Sequence, residues 1–276
     1  MNTALAFEDV SFGYGDEYAL TDISFEIKEG EFAALLGENG AGKSTVCGLC
    51  NGLLKPTKGR VTACGHDTKK DKTSVISRSV GFLFQNPDRQ LCRNSARDEI
   101  LFGLEYVTKD EAERELRVSE MLETFSLDGA RDPFGMSRGE RQQTALASVI
   151  ARRPKLLVLD EPTTGLDYKE CVTAMAAVSR LNESGTTIFM ISHDMEVVAD
   201  FARRALVLSK GRLIGDGPVR DVMRNANIMK EASLLPAQIP ALATALAGSG
   251  ADIFAGAFTI DDMVEIVARV RGEAGR

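Results

Sequence analysis

The chain has 276 residues, enough for one large domain or a domain with an appendage. With 44% apolar and 26% charged residues it has the composition of an ordinary globular protein with ample core. A net charge of -7, with no long Lys/Arg run, sets the overall field against nucleic acid.

The N-terminus begins with acidic, alternating sequence, and no signal peptide is expected. From Leu5 to Ile27 apolar and polar residues alternate, predicting two strands with turns at Gly13–Asp16 and at Glu29-Gly30. Tyr14 falls at a strand end, where it either stacks on a base or packs on the sheet. The run Ala33–Leu36 reads as a buried strand and leads into Gly37-Glu38-Asn39-Gly40-Ala41-Gly42-Lys43-Ser44-Thr45. That segment has the form G-x-x-x-x-G-K-[ST], and the residues after it can start a helix. In this strand–loop–helix context Gly40 and Gly42 allow a tight turn that brings N–H groups to phosphate oxygens, and the helix N-terminus adds its partial positive charge. Lys43 is placed to reach the β/γ-phosphates and the Ser44 hydroxyl to hold Mg²⁺.

Cys47-x-x-Cys50 has the form of a redox pair, but it falls in the helix after the loop and is expected to be small, buried and apolar. The five cysteines, with Cys64, Cys92 and Cys171, form no disulfide or zinc spacing, and free thiols fit a reducing compartment. After a Pro/Gly turn, Arg60–Cys64 reads as a strand, and the basic cluster at Lys69, Lys70 and Lys72 as a solvated face. Val80–Phe84 is a buried strand ended by Gln85-Asn86-Pro87-Asp88. A glutamine at that strand end sits where ligands gather in such sheets, or is a surface loop amide. Asp98–Phe125 is expected to be one helical, charged stretch with Val118, Leu122 and Phe125 on its apolar face.

The turn Phe134–Glu140 precedes a second helix to about Arg152, whose start is either an anion site or a simple N-cap at Ser137. Leu156–Asp160 reads as a buried strand followed by a second acid, Glu161. Two carboxylates there are costly without a metal, water or partner. In a P-loop enzyme Asp160 binds the Mg²⁺ water shell and Glu161 acts as general base toward water. Ile188–Ser192 is the next such strand, ending at His193 on the same edge; His66 lies in a polar turn. Ala205–Leu208 and Arg212–Ile214 form a hairpin, and a helical appendage follows Pro218, its last helix opening at Thr259–Asp262. Ile239–Phe258 carries Asp252 and is broken by Gly248-Ser249-Gly250, so no spanning helix is expected and membrane association is assigned to a partner.

The ordered set resembles the ATP-binding cassette (ABC) ATPases: Tyr14 as the A-loop aromatic, Gly37–Thr45 as Walker A and Gln85 as the Q-loop. Met136–Glu140 matches the signature segment, Asp160 and Glu161 Walker B with its adjacent acid, Thr164–Asp167 the D-loop, and His193 the switch histidine. Phe84–Asp88 followed by Gln90, and more softly the tail from Leu235 to Asp262, are similar to the energy-coupling ATPases of ECF-type importers. The resemblance implies an α/β P-loop NTPase fold: a RecA-like sheet core, an N-terminal antiparallel β subdomain and an α-helical signature subdomain at about 90–152. It places the ATPase domain at 1–225 and a C-terminal helical dimerisation extension at 226–276. It assigns catalysis to Glu161, His193, Lys43 and Gln85, and Mg²⁺ to Ser44, Gln85 and Asp160. Nucleotide binding goes to Tyr14, the Gly37–Thr45 loop and, from a second chain, Ser137, Gly139 and Glu140.

The implied partners are a second ABC ATPase subunit (the same chain or a paralogue), an integral membrane coupling subunit and, through it, a substrate-binding membrane subunit. The implied location is the cytoplasmic face of the cell membrane, and the implied cargo of this translocase is a vitamin or transition-metal ion. A conventional ABC importer or exporter ATPase is the alternative, and a non-transport ABC factor a more distant one that predicts a coiled-coil insertion or a basic surface. The signature departs from the family's L-S-G-G-Q, reading Met136-Ser137-Arg138-Gly139-Glu140. Arg138 is expected to strengthen phosphate binding, and Glu140 to oppose it unless paired with Arg138 or Arg141.

Overall fold

The computed structural model describes residues 2–15, 17–249 and 251–274. Asp16, in the first predicted turn, and Gly250, in the tail break, lie outside them. The N-terminal alternation becomes β1 (Thr3–Tyr14) and β2 (Glu17–Lys28), followed by β3 (Phe32–Leu36) and α1 (Lys43–Cys50). Next come β4 (Lys58–Ala63), β5 (His66–Asp67), α2 (Thr73–Ile76) and β6 (Val80–Leu83). The helical part holds α3 (Ala96–Leu104), α4 (Glu111–Thr124) and α5 (Arg138–Ile150). Then follow β7 (Leu156–Asp160), α6 (Tyr168–Glu183), β8 (Thr187–Ile191), α7 (Met195–Phe201), β9 (Arg204–Ser209) and β10 (Arg212–Pro218). The chain continues as α8 (Val219–Arg224), α9 (Ala226–Glu231), α10 (Gln238–Gly248) and α11 (Ile260–Ala274).

Two sheets organise these elements. The order β2-β1-β4-β5 is antiparallel throughout. The order β10-β9-β3-β8-β7-β6 is parallel except for its edge strand β10. Strands buried on both faces send alternate side chains to opposite sides. On β3, Ala33 and Leu35 pack with α1 and the antiparallel sheet, while Ala34 and Leu36 pack with α5, α6 and α7. One sheet thus separates two cores and carries the ends of β3, β6, β7 and β8 to a common edge.

The stretch expected to be one helix from Asp98 to Phe125 is two. The first ends at Leu104, and Asp110 starts the second as its cap, its carboxylate accepting from the amides of Ala112 and Glu113. Val118 and Phe125 are buried as the spacing predicts, with Leu122 packed at the margin of the core. The chain beyond residue 225 does not leave the core: Met229, Ala232, Ala237 and Phe258 join the cluster that holds α5 and α6. Among the described residues no helix is long and apolar enough to cross a membrane.

Candidate nucleotide site

The glycine loop leaves β3 at Gly37 (φ 151°) and enters α1 through Gly42 (φ 105°). A Cβ on Gly37 would stand 2.3 Å from the Leu208 carbonyl oxygen, and one on Gly42 2.7 Å from Leu20 and 2.9 Å from the Ala19 oxygen. Only glycine fits these two points, so the loop is held close against its neighbours. Lys43, the first residue of α1, is buried; its Nζ donates to the carbonyls of Gly37 (2.7 Å) and Glu38 (3.0 Å). Burial lowers its pKa, against the pull of Glu161 and Asp160.

A cleft of about 330 Å³ brings Tyr14, Asn39, Gly40, Gly42, Lys43, Ser44 and Thr45 together with Gln85, Asp160 and Glu161. Ala19, which the sequence did not single out, also lines it. Gly37 and Ala41 lie buried behind the loop. Tyr14 is 61% exposed, edge-on to Phe12 at 4.9 Å between centroids, with its hydroxyl 3.4 Å from Thr45 Oγ1. Its outer face is free for a flat ligand.

Asp160 ends β7 and is buried, and Glu161 follows in a left-handed conformation at φ 54°. Such a conformation in a glutamate holds only where its surroundings impose it. Here the Glu161 amide donates to the Ile191 carbonyl of β8 at 2.9 Å. That link sets the two strand ends side by side, and His193 Nδ1 lies 2.6 Å from Glu161 Oε2. Burial first, and the adjacent Glu161 second, push the Asp160 carboxyl up to about 6, with Lys43 opposing. A buried acid pair with one lysine favours a further cation. No trio of His, Cys, Asp or Glu side chains among the described residues forms a cage for one. An ion held by Asp160, the Ser44 hydroxyl and phosphate oxygens matches Mg²⁺, which is bound through few carboxylates and keeps water and phosphate ligands.

Gln85 is exposed at the cleft, beyond β6. The root of its loop is fixed by Gln90, whose Oε1 accepts from the Phe84 amide (3.2 Å) and whose Nε2 donates to the Ala145 carbonyl of α5 (2.9 Å).

Ser137, Gly139 and Glu140 do not line this cleft. They form the start of α5 as a capping box: Ser137 Oγ accepts from the Glu140 amide (3.2 Å) and Glu140 Oε2 from the Ser137 amide (2.7 Å). The other Glu140 oxygen binds Arg131, and neither Arg138 nor Arg141, the two partners that would have offset its charge, is the one it takes. The Ser137 amide, ahead of Arg131, holds the Glu140 carboxyl below the usual range. Arg141 turns to the Met136 carbonyl (2.8 Å) and Asp88 (3.0 Å). Arg131 was missed because its pairing depends on the short turn Pro133–Gly135, which no spacing rule reveals. Cys47 and Cys50 are buried with thiol pKa values raised by desolvation, the state expected of apolar fillers.

The model of the ABC transporter family matches residues 20–164. The energy-coupling factor transporter ATP-binding protein EcfA2 of Clostridium perfringens is 37% identical over 262 residues, covering 92% of each chain. CbiO1 from the same organism, described as part of the transporter complex CbiONQ, superposes with a TM-score of 0.73 at 29% identity, over 90% of this chain and 100% of that one. An ATP-binding cassette, MJ0796, solved as a post-hydrolysis dimer with ADP and phosphate, gives a TM-score of 0.71 at 28% identity, over 78% of this chain and 98% of that one. The chain spans 39–42% of the length of the curated relatives it matches at 40–46% identity. By the family model and by relatives matched over nearly their whole length, the chain belongs to the ABC transporter family, as an ATP-binding cassette of the energy-coupling-factor type.

Proposed function

We propose that the chain hydrolyses ATP in a nucleotide-sandwich dimer and drives import of a vitamin or transition-metal ion through membrane subunits. The observation that carries this reading is the meeting, in one cleft, of the phosphate loop with a buried acid pair whose second member touches His193. Lys43 and the loop amides hold the β/γ-phosphates, and the exposed face of Tyr14 receives the base. Ser44, Gln85 and Asp160 would hold Mg²⁺, which would supply positive charge against the phosphates. Glu161 takes the proton of the attacking water, and His193 orients its carboxylate. In this reading Lys43 leaves the Gly37 and Glu38 carbonyls when phosphate arrives.

The absence of Ser137 and Gly139 from the cleft of their own chain suits a role toward the nucleotide of a second chain. A γ-phosphate touched from both sides gives the closed pair a preference for ATP over ADP, as a ligand-driven switch requires. The second copy is this chain or a paralogue, and the dimeric post-hydrolysis cassette supports the arrangement. On α11, Ile260, Val264, Val267 and Val270 are exposed at helical spacing, in keeping with a C-terminal dimerisation extension. A groove of about 480 Å³ beside the Q-loop root, lined by Phe82, Gln90, Phe102, Tyr106 and Arg152 among others, suits a coupling segment of a membrane subunit. The chain then sits peripherally on the cytoplasmic face of the membrane.

Glu161→Gln tests the chemistry: ATP turnover is expected to fall about 10²–10⁴-fold with ATP binding retained. An unchanged turnover removes Glu161 as the base.

A further inference from the structure

The unusual signature residue Arg138 faces its own chain rather than a carboxylate. Among the described ion pairs it has none, and it is exposed. Its aliphatic stem lies on the D-loop glycine. A Cβ on Gly165 (φ 86°) would come within 3.0 Å of Arg138 Cδ, 3.1 Å of its Nε and 3.2 Å of its Cγ. One helical turn along α5, Gln142 is fully buried, and its Nε2 reaches the Pro162 carbonyl at 3.4 Å. Positions 138 and 142 share one helix face. Two side chains of that face therefore grip the turn 162–165. Between them, the Gly139 backbone abuts the Glu170 carboxylate, which a Cβ there would approach to 2.6 Å.

That turn is short and internally bonded. The Thr164 amide donates to the Glu161 carbonyl (3.3 Å) and the Leu166 amide to the Thr163 carbonyl (3.2 Å). The turn that holds Gly165 is thus tied back to Glu161, whose left-handed backbone is already dictated by its neighbours. Two buried polar atoms of this junction, Gln142 Oε1 and Thr164 Oγ1, have no partner among the described residues, so the junction is not fully satisfied by them.

We propose that Arg138 is a positioning residue: its stem, resting on Gly165, sets the placement of Glu161 and links it to Ser137 at the tip of α5. Engagement of Ser137 by the nucleotide of one site then adjusts the general base of the other. The contact is one of packing, so it depends on the length of the side chain and not on its charge. This rests on the sandwich reading above.

The test compares steady-state ATP hydrolysis by wild type, Arg138→Gly, Arg138→Met and Arg138→Lys, with melting temperatures recorded for each. Arg138→Gly is expected to lower kcat about 10-fold or more with KM for ATP changed less than about 2-fold, as misplacement of a catalytic group does, and to reduce the Hill coefficient toward 1. Arg138→Met and Arg138→Lys both keep a long stem and are expected to restore kcat. Rescue by Lys but not Met assigns the residue to phosphate charge and overturns the proposal, as does a wild-type kcat in Arg138→Gly. A fall in kcat matched by a fall in melting temperature, with Met giving no rescue, also overturns it. Failure of the sandwich reading shows separately, as a wild type that hydrolyses ATP with no cooperativity and at a rate per chain independent of protein concentration.

Discussion

Asp160 is the residue whose surroundings say most about the charge the site would accept. Its pKa is raised to about 6 by burial and by Glu161, above its value in an unfolded chain. The folded protein therefore holds a proton that the unfolded chain has released between about pH 4 and pH 6, and the acid costs stability above that window. In protein free of nucleotide and magnesium, Asp160→Asn is expected to raise the melting temperature at pH 7.5. That gain is expected to shrink as the pH falls toward 5. Thermal melts of both proteins across this range check it, and a gain independent of pH contradicts the assignment. Much at this scale was legible: the acids, the lysine and the histidine stand at ends of apolar runs, where a sequence marks them plainly. The contact between Glu161 and His193 was not, because it follows from the parallel register that sets Asp160 opposite Ile191. Register between strands about 30 residues apart leaves no local trace in a chain.

At the scale of elements, the loop and the two caps decide how the site is held. Gly42 combines a positive φ with contacts that leave no room for a Cβ. Gly42→Ala is expected to cost about 1–3 kcal/mol in chemical denaturation and to abolish nucleotide binding measured by titration calorimetry. Ser137 caps α5, a structural job separate from any contact with nucleotide. Removing the cap with Ser137→Ala is expected to cost about 1 kcal/mol of stability. If the residue also meets nucleotide, ATP turnover falls further than that loss of fold explains. A rate equal to wild type separates the cap from the chemistry. Strand positions were readable because both faces of the parallel sheet are buried and the runs are apolar throughout. The division between α3 and α4 was not, since the charged residues on both sides disguise Asp110, whose capping role depends on its backbone geometry.

For the molecule as a whole, the proposed function has one chain present half of two sites. The phosphate loop, the acid pair and His193 gather on one edge of the sheet, while the capped tip of α5 is held elsewhere by Arg131, Gln142 and the D-loop. Motif order in the sequence pointed to this division, and the cleft of one chain is lined without Ser137, Gly139 or Glu140. The tail was legible only as helical; its anchoring through Met229, Ala237 and Phe258 depends on surfaces contributed by distant elements. The central claim is that ATP closes two chains around two nucleotides. Light scattering during size-exclusion chromatography of Glu161→Gln with ATP and Mg²⁺ tests it most directly. A nucleotide-closed pair has twice the single-chain mass with ATP, a lower mass with ADP, and no ATP effect in the Lys43→Ala background. The same mass with ATP, with ADP and without nucleotide would contradict it.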